Sequence, residues 1–434
     1  MGAVVVRPAP GALCGTLAVP GDKSIAHRAL LLGALAKGTT VVEGFPGGED
    51  VRATLGAIRT LGADATWTGT VMRIEGVGRA LGGGGTRSID CHNSGTTMRL
   101  GAGLVAGGGA IVTFDGDASL RRRPMERIAE PLRRMGAHVV TTNGHAPLAV
   151  RGGTLTAIDW PMPIASAQIK SAILLAGLRA TGTTRVHEPI PSRDHTERLL
   201  GAMGVRVRRE GSAVAVDGGT TLHGLTVPLP GDLSSAAFFV VAALLVPGSA
   251  LEIRDVGLNP TRTGALDILR RMGAAIEVRN RREVAGEPRG DLVVGGTQLR
   301  GTVIAPAEVP SAIDELPILA VAAALADGTT RLTGAAELRV KESDRIAGIA
   351  QLADMGVGVE PTADGFVIHG TAGRRLTGGS IRTGGDHRIA MAFGVAGLVA
   401  NDGVRIDDAA CAEVSFPGFF AQLGALGALV EEAV

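Results

Sequence analysis

Six stretches of this chain are apolar on nearly every helical face, and each runs into a glycine turn and a short strand: "KSIAHRALLLGALAKGTTVV", "GTTMRLGAGLVAGGGAIVTF", "AQIKSAILLAGLRATGTTRV", "LSSAAFFVVAALLVPGSALEI", "DELPILAVAAALADGTTRL" and "HRIAMAFGVAGLVANDGVRI". A helix without a polar face is predicted to be buried all round. A second, amphipathic helix follows each time and closes on a shared signature, "IRTLGA", "LRRMGA", "LGAMGV", "LRRMGA", "LADMGV" and "LGALGA". The closing glycines, Gly62, Gly136, Gly204, Gly273, Gly356 and Gly427, stand where a helix commonly ends in the left-handed conformation. Six alternating α/β units are therefore expected. A further echo, "VPGDKS" at Val19–Ser24 and "LPGDLS" at Leu229–Ser234, divides them into three plus three, with the Pro-Gly joints as crossings between two lobes. A linear array of six units has the same pattern, but solenoid repeats are shorter, roughly 20 to 50 residues.

Composition narrows the classes of function. With 434 residues and 45% hydrophobic content the chain has enough apolar material for two or three cores. A net charge of +1 argues against a general nucleic-acid surface. Cys14, Cys91 and Cys411 lie far apart and form no C-x-x-C pair, which argues against a metal or disulfide framework and for a reducing compartment. The opening "MGAVVVRPAPG" lacks the charged and apolar regions of a leader, and no apolar run reaches the length of a membrane span. A soluble cytoplasmic protein with no membrane partner is expected.

Candidate chemistry sits at the starts of the apolar helices: Lys23-Ser24, Gly95-Thr96-Thr97, Ser166-Ala167-Gln168, Ser234-Ser235, Asp314-Glu315 and Asp386-His387-Arg388. Capping accounts for a Ser, Thr or Asp at such a place. It does not account for Lys23 or Arg388, since a cation is unfavourable at the positive end of the helix dipole. A bound anion removes the conflict, because helix N-termini and cations then act on it together. Phosphates or carboxylates are the expected ligands. Lysine itself is rare: Lys23, Lys37, Lys170 and Lys341 are the lysines among 43 basic residues.

In order along essentially the whole chain, "GDKSIAHRALLLGALAKGTT", "NSGTTMRL", "SLRRRPM", "ASAQIKSAILLAGL", "SRDHTERLL", "GDLSSAAFF", "IDELPILAVAAA", "LRVKESDR" and "GDHRIAMAF" resemble the successive motifs of the 5-enolpyruvylshikimate-3-phosphate synthase family, the 3-phosphoshikimate 1-carboxyvinyltransferases. The resemblance implies a two-lobed inverted α/β barrel of six βαββαβ-type repeats, three per lobe. One lobe is then residues 21–229, mainly for shikimate 3-phosphate, and the other is residues 1–20 plus 230–434, with the active site in the cleft between them. The implied reaction carries the enolpyruvyl group of phosphoenolpyruvate to the 5-hydroxyl of shikimate 3-phosphate, releasing phosphate by addition and elimination through a tetrahedral intermediate. No cofactor or metal is implied, the partners are the two anionic substrates, and a monomer is expected. In this family glyphosate occupies the phosphoenolpyruvate pocket.

Residue by residue, the resemblance implies that Lys23, Ser24 and Arg28 hold shikimate 3-phosphate, with Lys23 also facing phosphoenolpyruvate. Ser166, Gln168 and Ser192 match positions around the ring and its phosphate, with Arg193 a further phosphate ligand. Arg123, Arg345 and Arg388 match the arginines that clamp phosphoenolpyruvate, beside the turn at Gly95 and Thr96 and with Gln168 in reach. A planar guanidinium suits that task because it meets carboxylate and phosphate oxygens two at a time. Asp314 matches the carboxylate on the attacking hydroxyl, Glu342 the proton-transferring acid, and Lys341 a catalytic neighbour reaching shikimate 3-phosphate. Lys23 is counted with them as catalytic. Lys170 reads more simply as an exposed mid-helix charge and Glu315 as a cap.

Two positions depart from the family pattern. Val414 and Ser415 stand where some members have a lysine on phosphoenolpyruvate, and His195 stands where others have a tyrosine. The sister transferase acting on UDP-N-acetylglucosamine has a loop cysteine five residues before the arginine of its "RP" pair; here Ala118 occupies that place. A non-catalytic phosphate-binding scaffold of the same repeats would have no use for Asp314, Glu342 and Lys341 together.

Overall fold

The computed structural model describes residues 2–433. It divides into two compact units. The N-half unit is Gly21–Leu229 with Glu283–Glu287; the C-half unit is Met1–Pro20, Pro230–Arg282 and Pro288–Val434. Each has its own hydrophobic core.

The six apolar stretches form six buried helices: α1 (Lys23–Leu35), α2 (Gly95–Val105) and α3 (Ala167–Gly177) in the N-half unit, and α4 (Leu233–Leu245), α5 (Leu316–Leu325) and α6 (His387–Gly397) in the C-half unit. In α4 every residue from Leu233 to Leu244 is buried. Each large side chain so buried contributes roughly 1.5–3 kcal/mol against the entropy of ordering the chain. Small residues let such helices touch closely. A Cβ on Gly103 of α2 would lie 2.2 Å from the Ala172 carbonyl oxygen of α3, so Gly103→Ala would force the two helices apart.

Each unit builds three four-stranded sheets. In the sheet around α2, Thr86–Asp90 and Ile111–Asp115 run parallel on either side of the helix in sequence, and Ile111–Asp115 then pairs antiparallel with His145–Arg151, which pairs with His138–Thr142. The element order within a repeat is thus β-α-β-α-β-β. The α/β class is as expected, but the order differs from βαββαβ: one strand separates the two helices, and the hairpin comes after both. A parallel pair needs a helix to carry the chain back, whereas an antiparallel pair needs only a turn, so the crossover and the hairpin fall in separate halves of the repeat.

Three repeats are completed by distant strands. Cys14–Ala18 pairs parallel with Ala250–Gly257, and Val4–Val6 lies between Val404–Ile406 and Val430–Glu432, so the N-terminal residues are built into C-half sheets. In the N-half unit Thr226–Pro228 pairs parallel with Lys37–Glu43. All six closing glycines adopt positive φ, from 83° at Gly356 to 108° at Gly136, where a side chain would be strained.

Candidate active site

In the N-half unit the polar groups gather at the starts of α1, α2 and α3. Asp22 caps α1 by accepting from the Ile25 N–H at 2.9 Å, leaving Lys23 as the first helical residue. The Lys23 ammonium is held 2.7 Å from Asp50 Oδ2. Arg28, one turn further on, is buried; its Nε donates to Thr196 Oγ1 at 2.6 Å, Nη2 to Ser171 Oγ at 3.0 Å and Nη1 to the Ser24 carbonyl at 2.8 Å. Burial lowers the guanidinium to about 10. His27 is buried too, and burial drives its imidazole down to about 3, so it is neutral at physiological pH. Its Nδ1 meets Thr54 Oγ1 at 2.6 Å, Thr54 meets Thr97 Oγ1 at 2.6 Å, and Thr97 donates to Ser94 Oγ at 2.7 Å. This chain of hydroxyls joins α1 to Ser94, the cap of α2, and so to the turn at Gly95 and Thr96.

Gln168, in the first turn of α3, donates to Thr96 Oγ1 at 2.9 Å and accepts from Arg99 Nη1 at 2.6 Å. Arg99 extends over Gly95, whose added Cβ would come within 2.8 Å of Arg99 Nη1 and 3.3 Å of Arg123 Nη1. Arg123 donates to Asn93 Oδ1 at 2.5 Å. Ser166 caps α3. Lys23, Gly95, Thr96, Arg123, Ser166 and Gln168 thus belong to the starts of α1, α2 and α3 or to the loops beside them. Ser192 is different: both its N–H, at 2.9 Å, and its hydroxyl donate to Glu188 Oε1, so that hydroxyl proton is already committed inside the protein. Arg193 beside it is partly exposed. His195, in the place of the family tyrosine, is buried with Nδ1 2.8 Å from Glu287 Oε1.

The C-half unit assembles an ion network. Asp314, just before α5, has Arg345 Nη1 at 3.5 Å and Lys341 Nζ at 3.8 Å from Oδ1, and Arg388 Nη2 at 3.7 Å and Arg262 Nη1 at 3.8 Å from Oδ2. Its carbonyl accepts from Arg388 Nη1 at 3.0 Å. Arg345 is buried and meets Glu342 Oε2 at 2.6 Å and Asp386 Oδ2 at 2.8 Å. Burial works against the Arg345 charge, but Asp386, Glu342 and Asp314 outweigh it and raise the guanidinium. Burial likewise pushes the Asp386 carboxyl up, and Arg345 overcomes it and holds it below its ordinary value. Asp386 also caps α6, accepting from the Arg388 N–H at 2.9 Å. The structure therefore brings Asp314, Lys341, Glu342, Arg345 and Arg388 into one cluster.

Several residues of these clusters escaped the sequence reading: Asp50 on Lys23, Arg99 on Gln168, and Arg262 on Asp314. Arg99 sits one turn after Gly95, so position in a motif was an available signal. Two expectations are corrected. Lys170 has no exposed surface, because α3 has no solvent-facing side on which to place it. Glu315 does stand at the N-cap position of α5, but its side chain makes no cap bond there; it accepts from Ser234 Oγ and lies 3.3 Å from Arg262 Nη1. Val414 ends a short 3₁₀ helix, Ala409–Val414. Among the described residues no group of three or more His, Cys, Asp or Glu is placed to hold a metal ion, and no helix is long and apolar enough to cross a membrane.

Helix starts bearing cations, beside carboxylates paired with arginine and lysine, define a class of α/β proteins that handle small anions and move protons among them. The model of EPSP synthase (3-phosphoshikimate 1-carboxyvinyltransferase) matches residues 8–423. The 3-phosphoshikimate 1-carboxyvinyltransferase of Geobacter sulfurreducens is 51% identical over 415 residues, covering 95% of this chain and 96% of its own. That of Halorhodospira halophila is 53% identical over 431 residues, covering 98% and 96%. A solved EPSP synthase from Acinetobacter baumannii superposes with a TM-score of 0.87 at 44% identity, covering 100% of both chains. The chain belongs to the EPSP synthase family.

Proposed function

We propose that the two clusters divide one reaction between them. That reaction is transfer of the enolpyruvyl group of phosphoenolpyruvate to the 5-hydroxyl of shikimate 3-phosphate with release of phosphate, a transferase step of the shikimate pathway. In our reading the N-half unit, residues 21–229, mainly holds shikimate 3-phosphate, through Lys23, Ser24, Arg28, Ser166, Gln168 and the Ser192–Arg193 loop. Because the Ser192 hydroxyl donates to Glu188, Arg193 is assigned as that loop's phosphate ligand and Ser192 as its anchor. Lys23, Arg123, Arg345 and Arg388 take the carboxylate and phosphate of phosphoenolpyruvate, beside Gly95, Thr96 and Gln168.

Addition requires a proton delivered to the methylene carbon and one removed from the attacking hydroxyl; elimination takes the methyl proton back and expels phosphate. Asp314 is assigned to orient the attacking hydroxyl and receive its proton. Glu342 is assigned the proton exchanged at carbon, with Lys341 and Lys23 placing positive charge near the departing phosphate. The observation that carries this assignment is Asp314 within 4 Å of Lys341, Arg345, Arg388 and Arg262, with Glu342 on the same Arg345. A carboxylate so surrounded is held in one orientation, and a substrate anion entering the cluster would weaken the grip of the cations on it. We further propose a cytoplasmic monomer, which size-exclusion chromatography with light scattering tests by mass.

Phosphate release from phosphoenolpyruvate, measured with shikimate 3-phosphate and separately with UDP-N-acetylglucosamine, tests the reading. Release with shikimate 3-phosphate alone is expected. Release with the nucleotide sugar, or with neither acceptor, contradicts it.

A further inference from the structure

Lys170 lies inside α3 with no exposed surface, in a chain that uses lysine at only four positions. Its ammonium donates to Glu188 Oε2 at 2.9 Å and to the Ser192 carbonyl at 3.2 Å, and it forms an ion pair with Glu197 Oε1 at 2.6 Å. A primary ammonium carries three N–H donors and no acceptor, so two hydrogen bonds and an ion pair lie within its capacity. Glu188 turns its other oxygen, Oε1, to the Ser192 N–H at 2.9 Å and to the Ser192 hydroxyl. The loop between strand Thr183–His187 and helix His195–Ala202 is therefore tied to Lys170 directly through a carbonyl and indirectly through Glu188. The next residue, Ser171, secures the far side of the loop: its hydroxyl meets Thr196 Oγ1 at 2.6 Å and accepts from Arg28 Nη2 at 3.0 Å.

We infer that Lys170 is a positioning residue that fixes the Ser192–Arg193 segment against the start of α3, so that Arg193 is presented to the phosphate of shikimate 3-phosphate. This rests on the assignment of Arg193 under Proposed function. Geometry explains the lysine. Three oxygens converge on one point from two carboxylates and a carbonyl, which suits a compact ammonium; a planar guanidinium spreads its donors over a wider fork and needs more room than a fully buried site has. Charge agrees with a clamp held for geometry. One ammonium faces two carboxylates, and burial raises the Glu197 carboxyl against the pull of Lys170. Buried pairs of this kind are weak contributors to net stability, yet removing one partner is costly.

A purely structural role would disturb both substrates together, whereas a clamp on this loop acts on one. The test uses the full-length enzyme with steady-state kinetics varying each substrate in turn, and thermal melting as the check on folding. Lys170→Arg and Lys170→Met are expected to raise KM for shikimate 3-phosphate on the order of tenfold or more while KM for phosphoenolpyruvate stays within about threefold. Glu188→Gln is close in shape to the native side chain and covers the case in which the lysine variants do not fold; a several-fold rise confined to shikimate 3-phosphate is expected. An unchanged KM for shikimate 3-phosphate in folded Lys170→Arg or in Glu188→Gln overturns the inference, as does a parallel rise for both substrates. Arg193→Ala, run alongside, separates the two levels: if it leaves KM for shikimate 3-phosphate unchanged, the assignment of Arg193 falls and takes the proposed purpose of the clamp with it.

Discussion

The two units treat buried arginine differently. In the N-half unit Arg28 donates to two hydroxyls and a carbonyl, Arg99 to the Gln168 amide oxygen, and Arg123 to the Asn93 amide oxygen. In the C-half unit Arg345 meets Glu342, Asp386 and Asp314, and Arg262 meets Asp232 and Glu315. The two hydroxyls and the carbonyl on Arg28 hold its guanidinium in place without cancelling its charge, and in our proposal that positive potential serves a phosphate. Carboxylates cancel the charge and are themselves oriented, which suits groups that must exchange protons. In the function proposed above, one kind of repeat serves as an anion holder in one unit and as a proton-transfer cluster in the other through the partners given to its arginines. The N-half lysines are the exception, with Lys23 on Asp50 and Lys170 on Glu188 and Glu197.

The largest expected effect is on turnover in the C-half cluster. Lys341→Arg and Asp314→Asn should each lower kcat on the order of a hundredfold or more, the scale of a lost acid–base or positioning group, with unchanged melting. Near-wild-type turnover in folded Lys341→Arg would mean that this lysine supplies charge alone.

Stability offers a sharper contrast. Arg345→Met strands Asp386 and Glu342 without their cation and should cost about 3–5 kcal/mol in chemical denaturation. Arg28→Met leaves the Ser171 and Thr196 hydroxyls, already 2.6 Å apart, to satisfy each other, and should cost about 1–3 kcal/mol. Equal losses would erase the distinction between the units.

The pH profile separates them again. His27 has its folded value lowered to about 3, so its contribution is complete above the unfolded value and is lost as pH falls below roughly 6.5. Between pH 6.5 and 5 that amounts to about 2 kcal/mol. Asp386, also lowered, acts in the same sense but only below the ordinary carboxylate range near 4. Melting from pH 7 to pH 5 should fall in the wild type and flatten in His27→Asn. An equal slope in both would place the acid sensitivity elsewhere.

Smaller effects belong to Gly95 and Lys37. The Cβ of Gly95→Ala meets the far ends of the flexible Arg99 and Arg123 side chains rather than backbone, so KM for phosphoenolpyruvate should rise only a few-fold and that for shikimate 3-phosphate should not. Lys37→Arg, at an exposed position past the end of α1, should leave kinetics unchanged.

Much of this was legible in the sequence because the signals were periodic or local. All-round apolarity marked the six buried helices, and glycine marked their partners' ends. The strands that complete repeats from a distance were not readable from the repeat itself: Val4–Val6 is a three-residue segment whose partners lie near the far end of the chain. The order of strands and helices within a repeat turned on pairing direction, which side-chain alternation does not encode. Cations in the motifs were readable, but their partners were not, since Asp50 and Arg262 come from separate elements brought in by the fold. Lys170 is instructive, because a charge on a helix with no polar face has to be buried, and the pattern that marked α3 already implied it.

The division of labour between the units is tested most directly by titrating shikimate 3-phosphate into Glu342→Gln by calorimetry, with turnover measured on the same preparation. Glutamine preserves the size of the side chain and an oxygen for Arg345 while removing the exchangeable carboxyl proton. The account predicts binding within a few-fold of wild type and turnover lower by about a hundredfold or more. Loss of binding in step with turnover, or turnover near wild type, would contradict it.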